Sequence, residues 1–91
     1  MSSLYGFVYS RVALEYLESI ALKLRKQILK KVEVLARDPF PPGHKLIKGM
    51  NAGEEKVYRI RSGDYRILYI VRGNPHHIVV LDIDHRKDVY R

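Results

Sequence analysis

Hydrophobic residues recur at helical spacing in the first half of the chain and at alternate positions in the second half. An apolar stripe at i, i+4, i+8 and i+11 predicts an amphipathic helix, with lysines lying off the stripe. Its residues are Leu24, Ile28, Val32 and Leu35. Leu4–Tyr9 is a short apolar run that predicts a first strand, and Ser10 is a suitable N-cap for a helix beginning at Arg11. The helical pattern continues to Arg37, before Asp38-Pro39, because a residue that precedes proline is pushed out of the α region.

Residues 11–37 form either one helix or a two-helix hairpin, since no Gly or Pro marks a break. One helix of this length would extend about 40 Å, which is too long for so small a domain. We therefore favour a hairpin that turns near Ile20 to Leu22, with Leu14, Leu17 and Ile20 at helical spacing before the turn.

The second half alternates in the way that strands do. It contains three strand-like runs, Lys56–Arg61, Tyr65–Val71 and Ile78–His85, separated by the turn sequences Ser62-Gly63 and Gly73-Asn74-Pro75. His44–Lys48 is a further short extended segment before the turn-like residues 49–53. The order predicts an α+β fold, β-α-α-β-β-β, in which a two-helix hairpin packs on one face of a three-stranded antiparallel meander. We expect a single domain over residues 1–91.

Strand alternation places several arginines on one face of this sheet. Arg59 and Arg61 share a face, as do Arg66, Leu68 and Ile70 on the next strand. A two-residue turn at Ser62-Gly63 would place Arg59 directly opposite Arg66, an arrangement of like charges that destabilises a sheet. We interpret the pair as a site for an anion. The alternative is that surface arginines simply extend into water.

Side chains of the last strand also alternate between the two faces of the sheet. If the odd-numbered residues, including Val79, Leu81 and His85, face the helices, then the even-numbered ones face the arginine side. That side would hold Ile78, Val80, Asp82, Asp84 and Arg86. His85 would then point toward the helix side, away from the arginines, unless the end of the strand twists.

Composition narrows the class of partner. Seventeen Lys and Arg against ten Asp and Glu give a net charge of +7, which favours a polyanion or an acidic protein. There is no cysteine, no signal peptide is visible, and no apolar run approaches the roughly 20 residues that span a bilayer, so we expect a cytoplasmic protein without a membrane partner. His76-His77 lies beside a turn without spaced carboxylates. We expect no metal site and no cofactor.

Arginine binds phosphate through two parallel hydrogen bonds and stabilises charge that develops on a phosphoryl group, but it does not serve as a general base. A tyrosine or a histidine beside the arginines would have to move the protons. The implied chemistry is metal-free attack of an RNA 2′-hydroxyl on its own 3′-phosphate.

Two stretches carry a resemblance to a known family. Residues 58–69, YRIRSGDYRILY, and residues 84–90, DHRKDVY, together resemble the RelE/ParE toxin superfamily, and the helix end at residues 35–39, LARDP, also fits. The resemblance implies a RelE-type toxin of a toxin–antitoxin system. Such a toxin is an endoribonuclease that cuts mRNA in the ribosomal A site and inhibits translation. Its partners would be a cognate RelB-like antitoxin, mRNA and ribosomal RNA.

The resemblance also implies site residues. The catalytic candidates are Arg59, Arg61, Arg66, Arg86, Tyr90 and His85, and the candidates for RNA binding are Lys45, Lys48 and Lys56. The main alternative is a ParE-like toxin, which shares the fold, lacks the catalytic set and inhibits DNA gyrase by binding. A third class is an RNA-binding or adaptor protein without turnover. Three arginines together with Arg86 and Tyr90 favour the ribonuclease.

Overall fold

A computed structural model describes residues 5–73 and 76–85. Its elements are β1 (Gly6–Tyr9), α1 (Arg11–Ser19), α2 (Leu22–Arg37), β2 (Lys45–Ala52), β3 (Glu55–Ser62), β4 (Tyr65–Gly73) and β5 (His76–His85). They form one five-stranded sheet in the order β1-β5-β4-β3-β2. The strands β2 to β5 make an antiparallel meander, and β1 pairs with β5 in parallel. The predicted α+β class is confirmed, and the extended segment expected at residues 44–48 is a longer strand, so the meander has four strands.

The predicted helical hairpin is also confirmed, and side chains define both ends of its first helix, α1. The Ser10 hydroxyl accepts a hydrogen bond from the Ala13 amide at 3.0 Å, which makes it the N-cap of α1. At the other end, the Arg25 Nε donates to the Leu17 carbonyl oxygen at 2.8 Å. Because this guanidinium satisfies a terminal carbonyl of α1, the chain can break between the helices without Gly or Pro.

The core lies between the helices and one face of the sheet. Its largest fully buried side chains include Ile28, Val32 and Leu35 from α2 and Ile67 and Tyr69 from β4. On α1 the buried residues are Ala13 and Leu17, whereas Leu14, expected on the apolar side, is 48% exposed.

The pairing of β3 with β4 differs from the predicted register by two residues. The turn consists of Gly63 and Asp64, so Ser62 pairs with Tyr65 and Arg61 with Arg66. Gly63 has φ +61°, as the first central residue of a type II′ turn requires. Arg59 therefore lies opposite Leu68, and the prediction that it lies opposite Arg66 is wrong. A shift of two residues keeps every side chain on its predicted face.

The parity predicted for β5 is correct only in its second half. Tyr69 pairs with Val80 and Leu68 with Asp82, so the strand contains an extra residue, a β-bulge, at Leu81. Ile78 and Val80 are completely buried in the core before the bulge, contrary to the expectation that they face the arginines. After the bulge the alternation matches the prediction, with Ile83 buried and Asp84 opposite Arg66.

Candidate functional site

Three neighbouring arginines lie on the face of the sheet that points away from the helices. Arg59 and Arg61 come from β3 and Arg66 from β4, and the residues that alternate with them, Ile60 and Ile67, are buried in the core. We call these three residues the arginine face. Arg61 and Arg66 are directly opposite each other, and Arg59 lies diagonally from Arg66. Diagonal neighbours in a sheet are about 7–8 Å apart, within reach of long side chains. The three cations can therefore converge on one polyanion.

Asp84 on β5 holds one of these arginines in place. The Arg66 Nε lies 3.4 Å from Asp84 Oδ1, across the pair that the two residues make in the β4–β5 ladder. The side chains are only 15% and 27% exposed, so water screens this pair less than a surface ion pair. The carboxylate offsets the repulsion between Arg61 and Arg66, and it orients the Arg66 guanidinium on the open face.

A shallow pocket of about 290 Å³ lies on the arginine face. It is lined by Ile47, Met50, Arg59, Arg66, Leu68 and Asp84. The Arg59 Nε is buried and has no hydrogen-bond partner within the described part of the chain. A buried donor usually has a partner, and a bound anion would supply one. The pocket thus combines two guanidinium groups with apolar walls.

The three lysines expected to bind RNA occupy different places. Lys45 pairs with Arg59 across the β2–β3 ladder, so it extends the arginine face. Lys56 is exposed, but it shares its side of β3 with Tyr58, the side opposite to Arg59. Lys48 is exposed in the irregular part of β2, where the register shifts between Leu46 and Asn51.

One of the expected proton carriers, His85, is the last residue of β5. His85 pairs with Tyr65, and their rings meet edge-on with centroids 5.1 Å apart. Tyr65 packs against the core, which confirms that His85 faces the helix side of the sheet. Arg86 and Tyr90, the other expected site residues in this region, lie outside the described residues.

Some lining residues were not expected from the sequence. Ile47 and Met50 enter the pocket because β2 is longer than predicted and irregular, which no residue pattern indicated. To predict that Asp84 pairs with Arg66, the β4–β5 register would have to be known, and the sequence did not give it.

Among residues 5–73 and 76–85, no three His, Cys, Asp or Glu side chains are grouped closely enough to hold a metal ion. None of the described helices is both long enough and apolar enough to cross a membrane.

Known proteins with similar sequences and folds identify the family of this chain. Residues 7–90 match the family model described as the ParE toxin of type II toxin–antitoxin systems, parDE. A putative toxin RelE1 of Methanocaldococcus jannaschii is 30% identical over 66 residues, which is 72% of each chain.

Solved structures match over most of the chain. The toxin fold in the archaeal RelE–RelB complex from Pyrococcus horikoshii has 26% identity and a TM-score of 0.74, covering 94% of this chain and 97% of that one. The RelB–RelE complex from Methanococcus jannaschii gives 27% identity and a TM-score of 0.68, with 91% and 94% covered. The isolated Escherichia coli RelE toxin shares the fold at 23% identity and a TM-score of 0.72, with 89% and 83% covered. The chain therefore belongs to the RelE/ParE toxin superfamily, as a RelE-type toxin of a type II toxin–antitoxin system.

Proposed function

We propose that this toxin is an endoribonuclease that cuts mRNA in the ribosomal A site without a metal ion. The observation that carries the proposal is the pocket shared by Arg59 and Arg66, next to the exposed Arg61. In the reaction the RNA 2′-oxygen forms a bond to its own 3′-phosphorus, and the bond from phosphorus to the 5′-oxygen breaks. The products are a 2′,3′-cyclic phosphate and a 5′-hydroxyl.

Each arginine has a role that follows from its place. Arg66 is oriented by Asp84, so its guanidinium is positioned before the phosphate arrives and stabilises the charge that develops in the transition state. Arg59 contributes a buried donor in the same pocket. Arg61 and Lys45 are exposed and hold the neighbouring phosphates.

The proton transfers need other side chains. The 2′-hydroxyl must lose a proton and the 5′-oxygen must gain one, and arginine is not a practical base. Tyr90 is our candidate for the base, and Arg86 is our candidate for a further phosphate ligand. His85 is the second candidate for proton transfer.

The partners follow from the same proposal. The similar solved structures include complexes of RelE with RelB, and we propose that a cognate RelB-like antitoxin inhibits this toxin. An acidic, amphipathic segment would cover the arginines and the half-buried Leu68 between them. Of the other apolar residues expected on this open face, Ile70 is 1% exposed and Val80 belongs to the core. The toxin would act in the cytoplasm, where it meets mRNA and ribosomal RNA.

A second function has one observation in its favour. The matching family model carries the ParE name, and a ParE-like toxin would inhibit DNA gyrase without cutting RNA. An RNA-binding protein without turnover would bind the ribosome and leave the message intact.

One experiment separates these functions. Purified toxin is added to ribosomes programmed with an end-labelled mRNA, and the same preparation is tested for inhibition of gyrase supercoiling. We expect a cut within the A-site codon, a 2′,3′-cyclic phosphate, and unchanged supercoiling. Cleavage should persist when divalent ions are chelated and polyamines keep the ribosome intact. A 3′-hydroxyl product would indicate a metal-assisted mechanism. Gyrase inhibition without mRNA cleavage would instead identify a ParE-like toxin.

A further inference from the structure

A cluster of aromatic rings lies on the helix side of the β2–β3 edge, away from the arginine face. It consists of Phe40, His44 and Tyr58, which we call the aromatic patch. The Phe40 ring centroid is 5.1 Å from that of Tyr58 and 5.5 Å from that of His44, and the remaining pair is 6.1 Å apart. Each ring therefore contacts both of the others.

Contacts with the sheet and with the connector between α2 and β2 hold the aromatic patch in place. The Tyr58 ring packs on Tyr69 at 5.9 Å, and the buried Tyr69 hydroxyl donates to the Pro39 carbonyl oxygen at 2.7 Å. The His44 Nδ1 lies 2.8 Å from the Pro41 carbonyl oxygen, which can only accept, so the histidine donates. These bonds hold the connector between α2 and β2 against the sheet. The rings are therefore ordered before any ligand binds.

The outer surface of the patch is open to solvent. Phe40 is 45% exposed, and so is Leu46, the residue of β2 directly opposite Tyr58. A phenylalanine that served only the core would be expected to bury most of its ring. The exposed ring leaves surface available for stacking.

Cations lie beside this surface. Lys56 is exposed and shares its side of β3 with Tyr58, two residues or about 7 Å along the strand. Lys48 is also exposed, in the irregular part of β2 that follows Leu46. Asp38, an acid two residues before Phe40, accepts a hydrogen bond from the Phe40 amide at 3.1 Å. Aromatic rings with adjacent cations are the combination that binds single-stranded nucleic acid, because bases stack and phosphates are neutralised.

We propose that the aromatic patch stacks an unpaired RNA base while Lys56 contacts the adjacent phosphate. This subsite lies on the opposite side of the sheet from the arginine face, and it explains why Lys56 does not join the arginines. The inference rests on the proposed function in that the toxin must meet RNA, but it concerns binding and needs no cleavage. The base would come from mRNA flanking the A-site codon or from an unpaired segment of ribosomal RNA.

The test compares Phe40→Leu with Phe40→Tyr, because leucine keeps an apolar side chain and loses the ring, whereas tyrosine keeps both. The probe is a single-stranded oligoribonucleotide that contains 2-aminopurine, whose fluorescence is quenched on stacking. We expect Phe40→Leu to lose the quenching and to weaken binding about 5- to 150-fold, the range expected for one stacked base. Phe40→Tyr should bind within about twofold of wild type. Lys56→Gln should weaken binding without abolishing the quenching, and thermal melting checks that each variant is folded.

Ribosome experiments distinguish the two sources of the base. If it belongs to mRNA, 2-aminopurine beside the A-site codon is quenched by wild type and not by Phe40→Leu. If it belongs to ribosomal RNA, that probe does not respond, but Phe40→Leu raises the ribosome concentration needed for half-maximal binding. Either result supports the proposal.

Two results would overturn it. One is a folded Phe40→Leu variant that binds and quenches the oligonucleotide as wild type does. The other is a variant that loses only its affinity for the antitoxin, which would make the patch a protein-docking surface. Failure of the proposed function appears differently, as wild-type toxin that stacks the probe but cuts no mRNA on the ribosome.

Discussion

At the scale of single residues, the charge of Asp84 decides what the arginine face can do. Arg61 and Arg66 face each other in the sheet, which alone would destabilise the pairing. Asp84 neutralises part of that repulsion through Arg66 and leaves the exposed Arg61 for a ligand. The carboxylate also fixes the direction of one guanidinium, which lowers the entropy cost of binding an anion there.

Arg66→Ala should reduce the single-turnover rate of mRNA cleavage at least about 100-fold, the scale for losing one donor to the transition state. The matched control is Arg72→Ala, because Arg72 comes from the same strand but pairs with Glu55 at 2.8 Å and is 49% exposed. The control should cleave at close to the wild-type rate. Equal rates for both variants and wild type would remove Arg66 from the site.

The proton carriers give a second prediction at this scale. His85 packs edge-on against Tyr65 on the helix side, so His85→Gln should change the cleavage rate little. Tyr90→Phe should slow it strongly, because phenylalanine lacks the hydroxyl that we propose as the base. Single-turnover rates on programmed ribosomes, with binding measured separately, decide between them. A larger defect in His85→Gln would assign the proton transfer to the histidine.

At the scale of elements, local patterns predicted the helices well and the strand pairings less well. The N-cap at Ser10 and the end of α2 before Pro39 depend only on residues close in sequence, so both could be predicted from the sequence. The β3–β4 register depends on whether the turn uses Ser62-Gly63 or Gly63-Asp64, and both are good turn sequences. No turn residue or other sequence signal indicates the bulge at Leu81. The bulge exchanges the faces on which the side chains of the first half of β5 lie. The prediction of the arginine face was correct despite the wrong β3–β4 register, because a shift of two residues leaves every side chain on the same face.

The bulge is tied to the start of α1 by one side chain, which allows an element-scale prediction. Besides capping α1, the Ser10 hydroxyl donates to the Leu81 carbonyl oxygen at 2.6 Å. Ser10→Ala should therefore lower the free energy of unfolding by about 1–2 kcal/mol, the range for losing a cap and a part-buried hydrogen bond. Ser19→Ala is the control, since that hydroxyl makes one exposed bond at the end of α1. Its effect should stay within about 0.5 kcal/mol.

Urea denaturation of the two variants measures both values. If Ser10→Ala were no less stable than Ser19→Ala, the link between α1 and the bulge would contribute nothing to stability.

At the scale of the whole molecule, the sheet separates two kinds of basic surface. The arginine face and Lys45 form one, and Lys56 beside the aromatic patch lies on the other side. The net charge of +7 favours the attraction of polyanions from a distance, whereas the positions of individual cations determine which groups they can contact. The composition indicated a basic protein, but only the fold shows that the basic residues lie on both sides of the sheet.

The last prediction concerns this division and uses salt. Each phosphate that a cation neutralises lowers the slope of log K against log salt concentration by about 0.7–0.9, because counterions are released on binding. Arg61 is exposed on the arginine face, so Arg61→Gln should make the slope for ribosome binding shallower by about that amount. Arg72→Gln should change it less, because Glu55 already neutralises Arg72. The measurement is binding between about 50 and 200 mM monovalent salt at constant magnesium, a range in which such contacts dominate the affinity. An Arg61→Gln slope equal to that of wild type would show that Arg61 contacts no phosphate, and the arginine face would then consist of the Arg59 and Arg66 pocket alone.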